Sequence, residues 1–415
     1  MRPPHRTDCA RRSEGPVSEW LECLACRTRF DTTESRHECD CGGLLNVARD
    51  RIEGSPAVFD ARLSSRAALD RSGVWRFREA VMNIPLERIV THPEGSTRLY
   101  ERLGVFFKHE GENPTGSFKD RGMTVAMTQA VRVGSRAVAC ASTGNTSASL
   151  AAYASQAGLR AVVFIPAGKV AAGKLAQTLA YGATCLEVRG DFDAAMALVR
   201  EAASALGIYL VNSINPFRLE GQKTIVWELL QDLEWNPPDW IVLPAGNLGN
   251  TSAFGKALRE AHEAGWIARV PRLAAIQAAG ANPFYRSFRE AFASRHKVSA
   301  ETIASAIRIG DPVSHERAVR AIQYTNGIVE QVTDEELMSA KREIDAAGIG
   351  CEPASATTWA GVKKLRAAGV IRDGETIACV LTGSILKDPD AILASAAGRR
   401  IEIDATLAAV ERALG

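Results

Sequence analysis

The run WIVLPAGNLGNTSAFGKALREA, Trp240 to Ala261, carries the fold in the order of its residue types. A short apolar strand, Trp240 to Pro244, passes almost directly into Gly246-Asn247-Leu248-Gly249-Asn250, and a helix is predicted from about Thr251. Glycines let a backbone approach an anion closely, while free amides and a helix N-terminus supply partial positive charge. The turn therefore has the physics of a phosphate cradle. It is not a Walker loop, since no Gly-Lys-Ser/Thr closes it, and it lacks the G-x-G-x-x-G of a dinucleotide fold. The lesser alternative is a plain strand-to-helix turn, because glycine often serves turns only.

Outward from this run the same alternation repeats. RAVACAST, RAVVFIPAG, GATCLEVRG, IYLVNSINP, RLAAIQAAG, GIVEQV and ETIACVLTGS read as strands. GNTSASLAAYASQAG, DFDAAMALVREAASALG and DEELMSAKREIDAAG read as helices between them. In the second helix, Phe192, Ala195, Met196, Val199 and Ala203 share one face. Short buried strands alternating with helices predict an α/β fold with parallel sheets covered on both faces. Ile52 to Val90 is mixed, with three short helical or turn-like pieces. The expected domains are residues 1–50 (a tail and a Cys-rich hairpin), 51–125 with 214–415 (a large domain) and 126–213 (a small mobile domain).

Ligands of such sheets sit beyond the carboxyl ends of the strands, where three more polar clusters lie. Ser142, Thr143, Asn145, Thr146 and Ser147 gather behind RAVACA, more polar groups than one N-cap needs. Thr382 follows the strand of ETIACVLTGS at once. Arg218 and Lys223, with Asn212, follow IYLV and could receive a phosphate or carboxylate, or be surface charge. A lone amine, Lys119, stands in GENPTGSFKDRGM, Gly111 to Met123, which by itself is also an ordinary loop and helix start. Together these groups ask for a ligand with a phosphate, an aldehyde that an amine captures, a phenolic oxygen and a ring nitrogen. Pyridoxal 5′-phosphate has all four, with Lys119 as its Schiff-base lysine.

At 415 residues, 46% of them hydrophobic and 24% charged, the chain buries a large core. Lys plus Arg is 50 against 48 for Asp plus Glu, a net charge of +2 that leaves no footprint for nucleic acid or an anionic membrane. No apolar run approaches the roughly 20 residues that span a bilayer. MRPPHRTDCARRSEGP is basic without an apolar core, so it is expected to be a frayed tail rather than a secretory signal, and the protein a cytoplasmic enzyme. Nine cysteines are too few for a disulfide scaffold. Cys23, Cys26, Cys39 and Cys41 form a C-x-x-C and a C-x-C pair that a hairpin can bring together as a closed structural zinc site, or as reduced thiols alone.

KHEGENPTGSFKDRGM, ASTGNTSAS, NSINPFRLEGQKT, PAGNLGN, RIGDPVSHERA, CEPASATT and TGSILKD resemble the threonine synthase family of fold type II pyridoxal-phosphate enzymes. The resemblance spans nearly the whole chain and implies two doubly wound, tryptophan synthase β-like domains, commonly in a homodimer. It implies Lys119 on the cofactor aldehyde, Asn145 on the phenolic oxygen, Thr382 on the ring nitrogen and Gly246, Asn247, Leu248, Gly249 and Asn250 on the phosphate. Thr146, Asn212, Ser213 and Arg218 would surround the phosphate of O-phospho-L-homoserine, with Ser142 and Thr143 near its carboxylate. The reaction implied is its conversion with water to L-threonine and phosphate. Two departures stand out: Ser384-Ile385 where the family has His or Asn then Gly, and Thr97-Arg98-Leu99 where it has Thr-Pro-Leu. The first bears on substrate choice and keeps open a relative acting on another phosphorylated amino acid, such as a cysteate synthase.

Overall fold

The computed structural model describes residues 17–168, 172–389, 392 and 401–414; the N-terminal tail through Pro16 lies outside them. Three sheets organise the chain. The Cys-rich region is a three-stranded antiparallel sheet in which Glu19–Cys23 pairs with Arg29–Asp31 on one side and Leu45–Arg49 on the other. The expected hairpin thus gains a third strand, because Leu45 and Val47 alternate inward onto the core of the large lobe.

The large lobe is built on six strands in the order Ile328–Val332, Arg272–Ala278, Trp240–Pro244, Ile377–Leu381, Val105–His109 and Leu99–Arg102. All neighbours are parallel except the last pair. That antiparallel edge strand, with residues Glu101 and Arg102 in solvent, has none of the long apolar patterning that marks the central strands. Side-chain alternation divides the core into two layers. Ile241, Leu243, Ala378 and Val380 face one layer, and Trp240, Val242, Ile377, Cys379 and Leu381 the other.

The small lobe is a four-stranded parallel sheet in the order Thr184–Val188, Arg160–Pro166, Ala137–Ala141 and Tyr209–Leu210. The long strand read in IYLVNSINP shortens to Tyr209–Leu210, because Asn212 and Asn215 turn the chain with side-chain hydrogen bonds to Ala141 and Leu210. Helix Phe192–Leu206 buries Ala195 and Val199 as expected, whereas Phe192, at the first turn, lies in solvent. Helix Gly249–Glu263 starts two residues before Thr251, at the glycine turn itself.

This architecture brings the ends of Trp240–Pro244, Ile377–Leu381 and Val105–His109 side by side at one edge of the large sheet. The loop after Val105–His109 is stitched to the next strand end: Phe118 N donates to Thr382 O at 3.0 Å and Ser384 N to Gly116 O at 2.9 Å.

Candidate active site

Lys119 is the first residue of helix Lys119–Arg132, and its neighbours are immobilised. Asp120 accepts from Thr115 N, Thr115 Oγ1 and Ser149 Oγ, each at 2.6 Å. Burial nonetheless pushes the Asp120 carboxyl up to about 6, against those hydrogen bonds. Arg121 is fully buried and reaches Glu110 and Glu228, both at 2.7 Å. Gly116 has φ +83°, a left-handed turn that a side chain would strain. The half-buried Lys119 side chain stands between these anchors with Nζ 4.1 Å from the centroid of the Phe118 ring. Among the described residues it makes no side-chain hydrogen bond or ion pair. Burial, reinforced by the Arg218 cation and partly offset by Glu352, brings its amine down to about 7. A neutral, nucleophilic amine is therefore present near neutral pH.

Asn145 and Thr382 meet through a residue to which the sequence reading assigned no role. The Glu352 carboxylate accepts from Asn145 Nδ2 at 3.0 Å and from Thr382 Oγ1 at 2.8 Å. Thr382 is also held by Ser355, whose Oγ lies 3.0 Å from its hydroxyl and accepts from its backbone amide at 2.8 Å. Glu352 precedes Pro353 at the start of helix Pro353–Ala367. Its carboxylate fits because residue 383 is glycine, where a Cβ would stand 2.4 Å from its carboxyl carbon. Burial raises the Glu352 pKa, against the hydrogen bonds of Thr382 and Asn145 and the Lys119 charge. The signal available in sequence was the Glu-Pro pair in CEPASATT beside the glycine of TGS. Ser142, Thr143 and Thr146 remain half-exposed around the start of helix Asn145–Ala157, which has no side-chain cap.

The glycine turn gathers backbone donors that are left free. Leu248 takes φ +63°, and the backbone amides of Gly246, Asn247, Leu248, Gly249 and Asn250 have no acceptor among the described residues. The Thr251 and Ser314 hydroxyls, which can donate, are buried there without partners, as are two acceptor oxygens, Asn250 Oδ1 and Gln222 Oε1. A Cβ on Gly249 would come within 3.4 Å of that Gln222 oxygen. Unpartnered buried polar atoms are costly and rare, so a cluster of them marks a ligand site.

The remaining cluster is sorted by the fold. Asn212 closes its amide on Ala141 N and O, both at 3.1 Å, and Ser213 Oγ accepts from Asn247 Nδ2 at 2.7 Å. Arg218 donates to Val211 O at 3.1 Å, leaves Nε unpartnered and has no carboxylate beside it. Burial, opposed by Cys140, brings it down to about 10. Lys223 does not join it. Its ammonium is buried elsewhere, on Ala80 O, Glu220 and Glu260 at 2.7 to 2.8 Å, since the helical turn from Arg218 to Lys223 points the two in different directions. Of the departures, Arg98 lies in solvent opposite Glu112. Ser384 caps the short turn Ile385–Lys387 through Leu386 N, and Ile385 packs near Gly350.

The four N-terminal thiols also converge. One Sγ from each of Cys23, Cys26, Cys39 and Cys41 lies within 4.8 Å of the others.

A family model described as pyridoxal-phosphate dependent enzyme matches residues 85–383. The chain is 46% identical over 398 residues to a threonine synthase of Methanocaldococcus jannaschii, covering 92% of this chain and 96% of that protein. It is 44% identical over 407 residues to a threonine synthase of Methanosarcina acetivorans, covering 95% and 98%. The solved threonine synthase of Escherichia coli superposes with a TM-score of 0.72 over 95% of this chain and 94% of that one, at 20% identity, a likeness of fold.

Proposed function

The chain belongs to the pyridoxal-phosphate-dependent enzymes and, within them, to the threonine synthase family, and on that premise we propose that it converts O-phospho-L-homoserine and water to L-threonine and phosphate. The observation that carries this reading is a pair of basic groups without a salt-bridge partner among the described residues: the half-buried Lys119 amine and the buried Arg218, whose Nε is unpartnered, with burial lowering both. One is a base ready to take protons, the other a cation with no protein anion.

The residues fit the cofactor. Lys119 offers a free amine to an aldehyde, and the Gly246 to Asn250 turn offers unpartnered amides to a phosphate. Asn145 and Thr382 offer an amide and a hydroxyl to a phenolic oxygen and a ring nitrogen. When bound, pyridoxal phosphate supplies the electron sink for a carbanion at the substrate α-carbon. The protein's own part is proton handling, positioning and holding water back until the β-carbon is ready for it. Lys119 Nζ takes the α-proton and later a β-proton, and returns them as the product forms. Arg218 binds the substrate phosphate and stabilises its departure as the dianion. Asn212 and Ser213, engaged with Ala141 and Asn247, hold that wall in shape with Thr146, while Ser142 and Thr143 receive the carboxylate. Thr382 would meet the ring nitrogen with a neutral hydroxyl rather than a carboxylate, which would not by itself force that nitrogen to stay protonated. Glu352, already on both Asn145 and Thr382, sets their orientation.

In the same reading the protein is a cytoplasmic homodimer in which residues 126–213 close on the substrate against residues 51–125 and 214–415, with residues 1–50 as an appended module. Among the described residues no helix is long and apolar enough to cross a membrane. The test is product analysis with purified protein, pyridoxal phosphate and O-phospho-L-homoserine, beside O-phosphoserine as control. Threonine and phosphate in equal amounts support the reading. Turnover of O-phosphoserine alone would move the activity to another phosphorylated amino acid.

A further inference from the structure

We propose that Cys23, Cys26, Cys39 and Cys41 hold one zinc ion, and that this site fixes the substrate wall of the small lobe through His37. The identity of that wall rests on the function proposed above; the metal site does not.

The thiols are free and poised for a tetrahedral ion. Sγ separations are 3.5 Å for Cys23 with Cys41, 3.5 Å for Cys26 with Cys39 and 3.4 Å for Cys26 with Cys41. Zinc–sulfur bonds of about 2.3 Å place tetrahedral sulfurs about 3.8 Å apart, so small shifts complete the cage. The backbone is already shaped for it. Cys26 N donates to Cys23 Sγ at 3.5 Å, and Arg27 takes φ +65° to turn the C-x-x-C loop. Gly43 makes room, since a Cβ there would stand 2.6 Å from Cys23 Sγ and 3.3 Å from Cys41 Sγ. Four protein thiolates close the coordination sphere, so the metal is structural, and its binding releases the thiol protons to solvent without redox change.

The module touches both lobes. Its strands are bound to the large lobe: Arg49 pairs with Glu220 at 2.6 Å, Arg317 donates to Leu45 O, and Arg320 to Leu24 O at 3.1 Å. The loop that leads into Cys39 reaches the small lobe instead. His37 Nε2 accepts from Leu210 N at 3.3 Å, and its ring meets Tyr209 edge-on at 4.8 Å. Glu38 lies 3.4 Å from Arg200, and Leu44, just past Cys41, packs on the apolar cluster that includes Leu210 and Ile214. Leu210 ends the strand whose continuation carries Val211, bound by Arg218, then Asn212 and Ser213. Two ligands, Cys39 and Cys41, thus lie within a few residues of the contacts that hold this strand. An ion that ties them to Cys23 and Cys26 anchors the small-lobe contact to the large lobe.

The experiment uses the full-length protein loaded with pyridoxal phosphate. Zinc content, cobalt replacement and inorganic phosphate binding by calorimetry are read on wild type, His37→Ala and Cys26→Ser/Cys41→Ser. We expect one zinc per chain and, with cobalt, the ligand-field spectrum of a tetrahedral thiolate site. The His37→Ala protein should keep zinc and the cofactor absorbance yet bind phosphate about three- to tenfold more weakly, the worth of one hydrogen bond. If the double cysteine variant does not fold, chelation of wild type and return of zinc reads the same coupling. Zinc well below one per chain, disulfides among the four cysteines, or unchanged phosphate affinity in His37→Ala or after chelation overturns the proposal. A wild type that binds phosphate in a zinc-dependent way but makes no threonine overturns the reaction and leaves this inference standing.

Discussion

Two sets of basic side chains withdrawn from solvent are treated in opposite ways. Behind Lys119, Arg121 and Lys108 are fully buried, yet each meets carboxylates: Arg121 has Glu110 and Glu228, and Lys108 has Glu228 at 2.7 Å and Asp232 at 2.6 Å. Burial opposes the Arg121 charge, but Glu110 and Glu228 more than compensate, and its pKa is raised. Lys119 and Arg218, by contrast, have no carboxylate in salt-bridge range among the described residues, and burial lowers both. Burial alone therefore does not mark function. Burial without a salt-bridge partner marks it only beside the reacting groups, as for Arg218, whose charge reaches Lys119; Arg317 is equally short of partners but donates to Leu45 O.

The comparison can be broken at either end. The largest effect is expected from Lys119→Ala, which removes the free amine: visible absorbance of lysine-bound cofactor and turnover should both be lost. Full activity in that variant would refute the assignment. On the paired side, Glu228→Gln leaves Arg121, Lys108 and Arg76 short of their shared carboxylate. Stability should fall by about 3–5 kcal/mol, read as a lower urea midpoint. A midpoint like that of wild type would mean that Glu110 and Asp232 suffice. Arg218→Ala should bind cofactor normally but lose about 10- to 100-fold in kcat/KM with O-phospho-L-homoserine, the worth of a charged hydrogen-bonding group. Arg218→Lys should recover part of this, as it keeps the charge but loses the planar fork.

The smallest effect is the pH dependence of cofactor uptake by the cofactor-free chain. Lys119 is lowered from 10.5 to about 7, so its neutral form becomes dominant as pH rises through 7. The rate of visible absorbance growth should climb about tenfold from pH 6 to pH 8 and then level off. A rate still climbing steeply above pH 9 would show an ordinary lysine.

Much of this was legible in sequence because it depends on local order. Alternation of short β-branched runs with helices is enough for a parallel α/β fold, since each strand must bury both faces. Residues that sit directly behind a strand, such as Thr382, Asn145 and the turn from Gly246 to Asn250, are placed at the ligand edge by the topology alone. The resemblance added the cofactor and the reaction. Lys119 stood out because a lone amine among small residues is unusual.

What escaped depends on partners distant in the chain. Nothing local separates Arg218 from Lys223, five residues apart, yet one is left with an unpartnered Nε and the other is bound by Glu220 and Glu260. Glu352 gained its place only when the fold set it against Asn145, Thr382 and the space left by Gly383. The edge strand Leu99–Arg102 and the shortness of Tyr209–Leu210 follow likewise from pairing and from asparagine side chains that reach across the sheet. By itself, the sequence determined the layers and which residue types stand at the strand ends, because periodicity and turns are properties of neighbours. Only the tertiary structure decided which buried charges are paired and which remain free, because a counter-charge is a matter of distance in space.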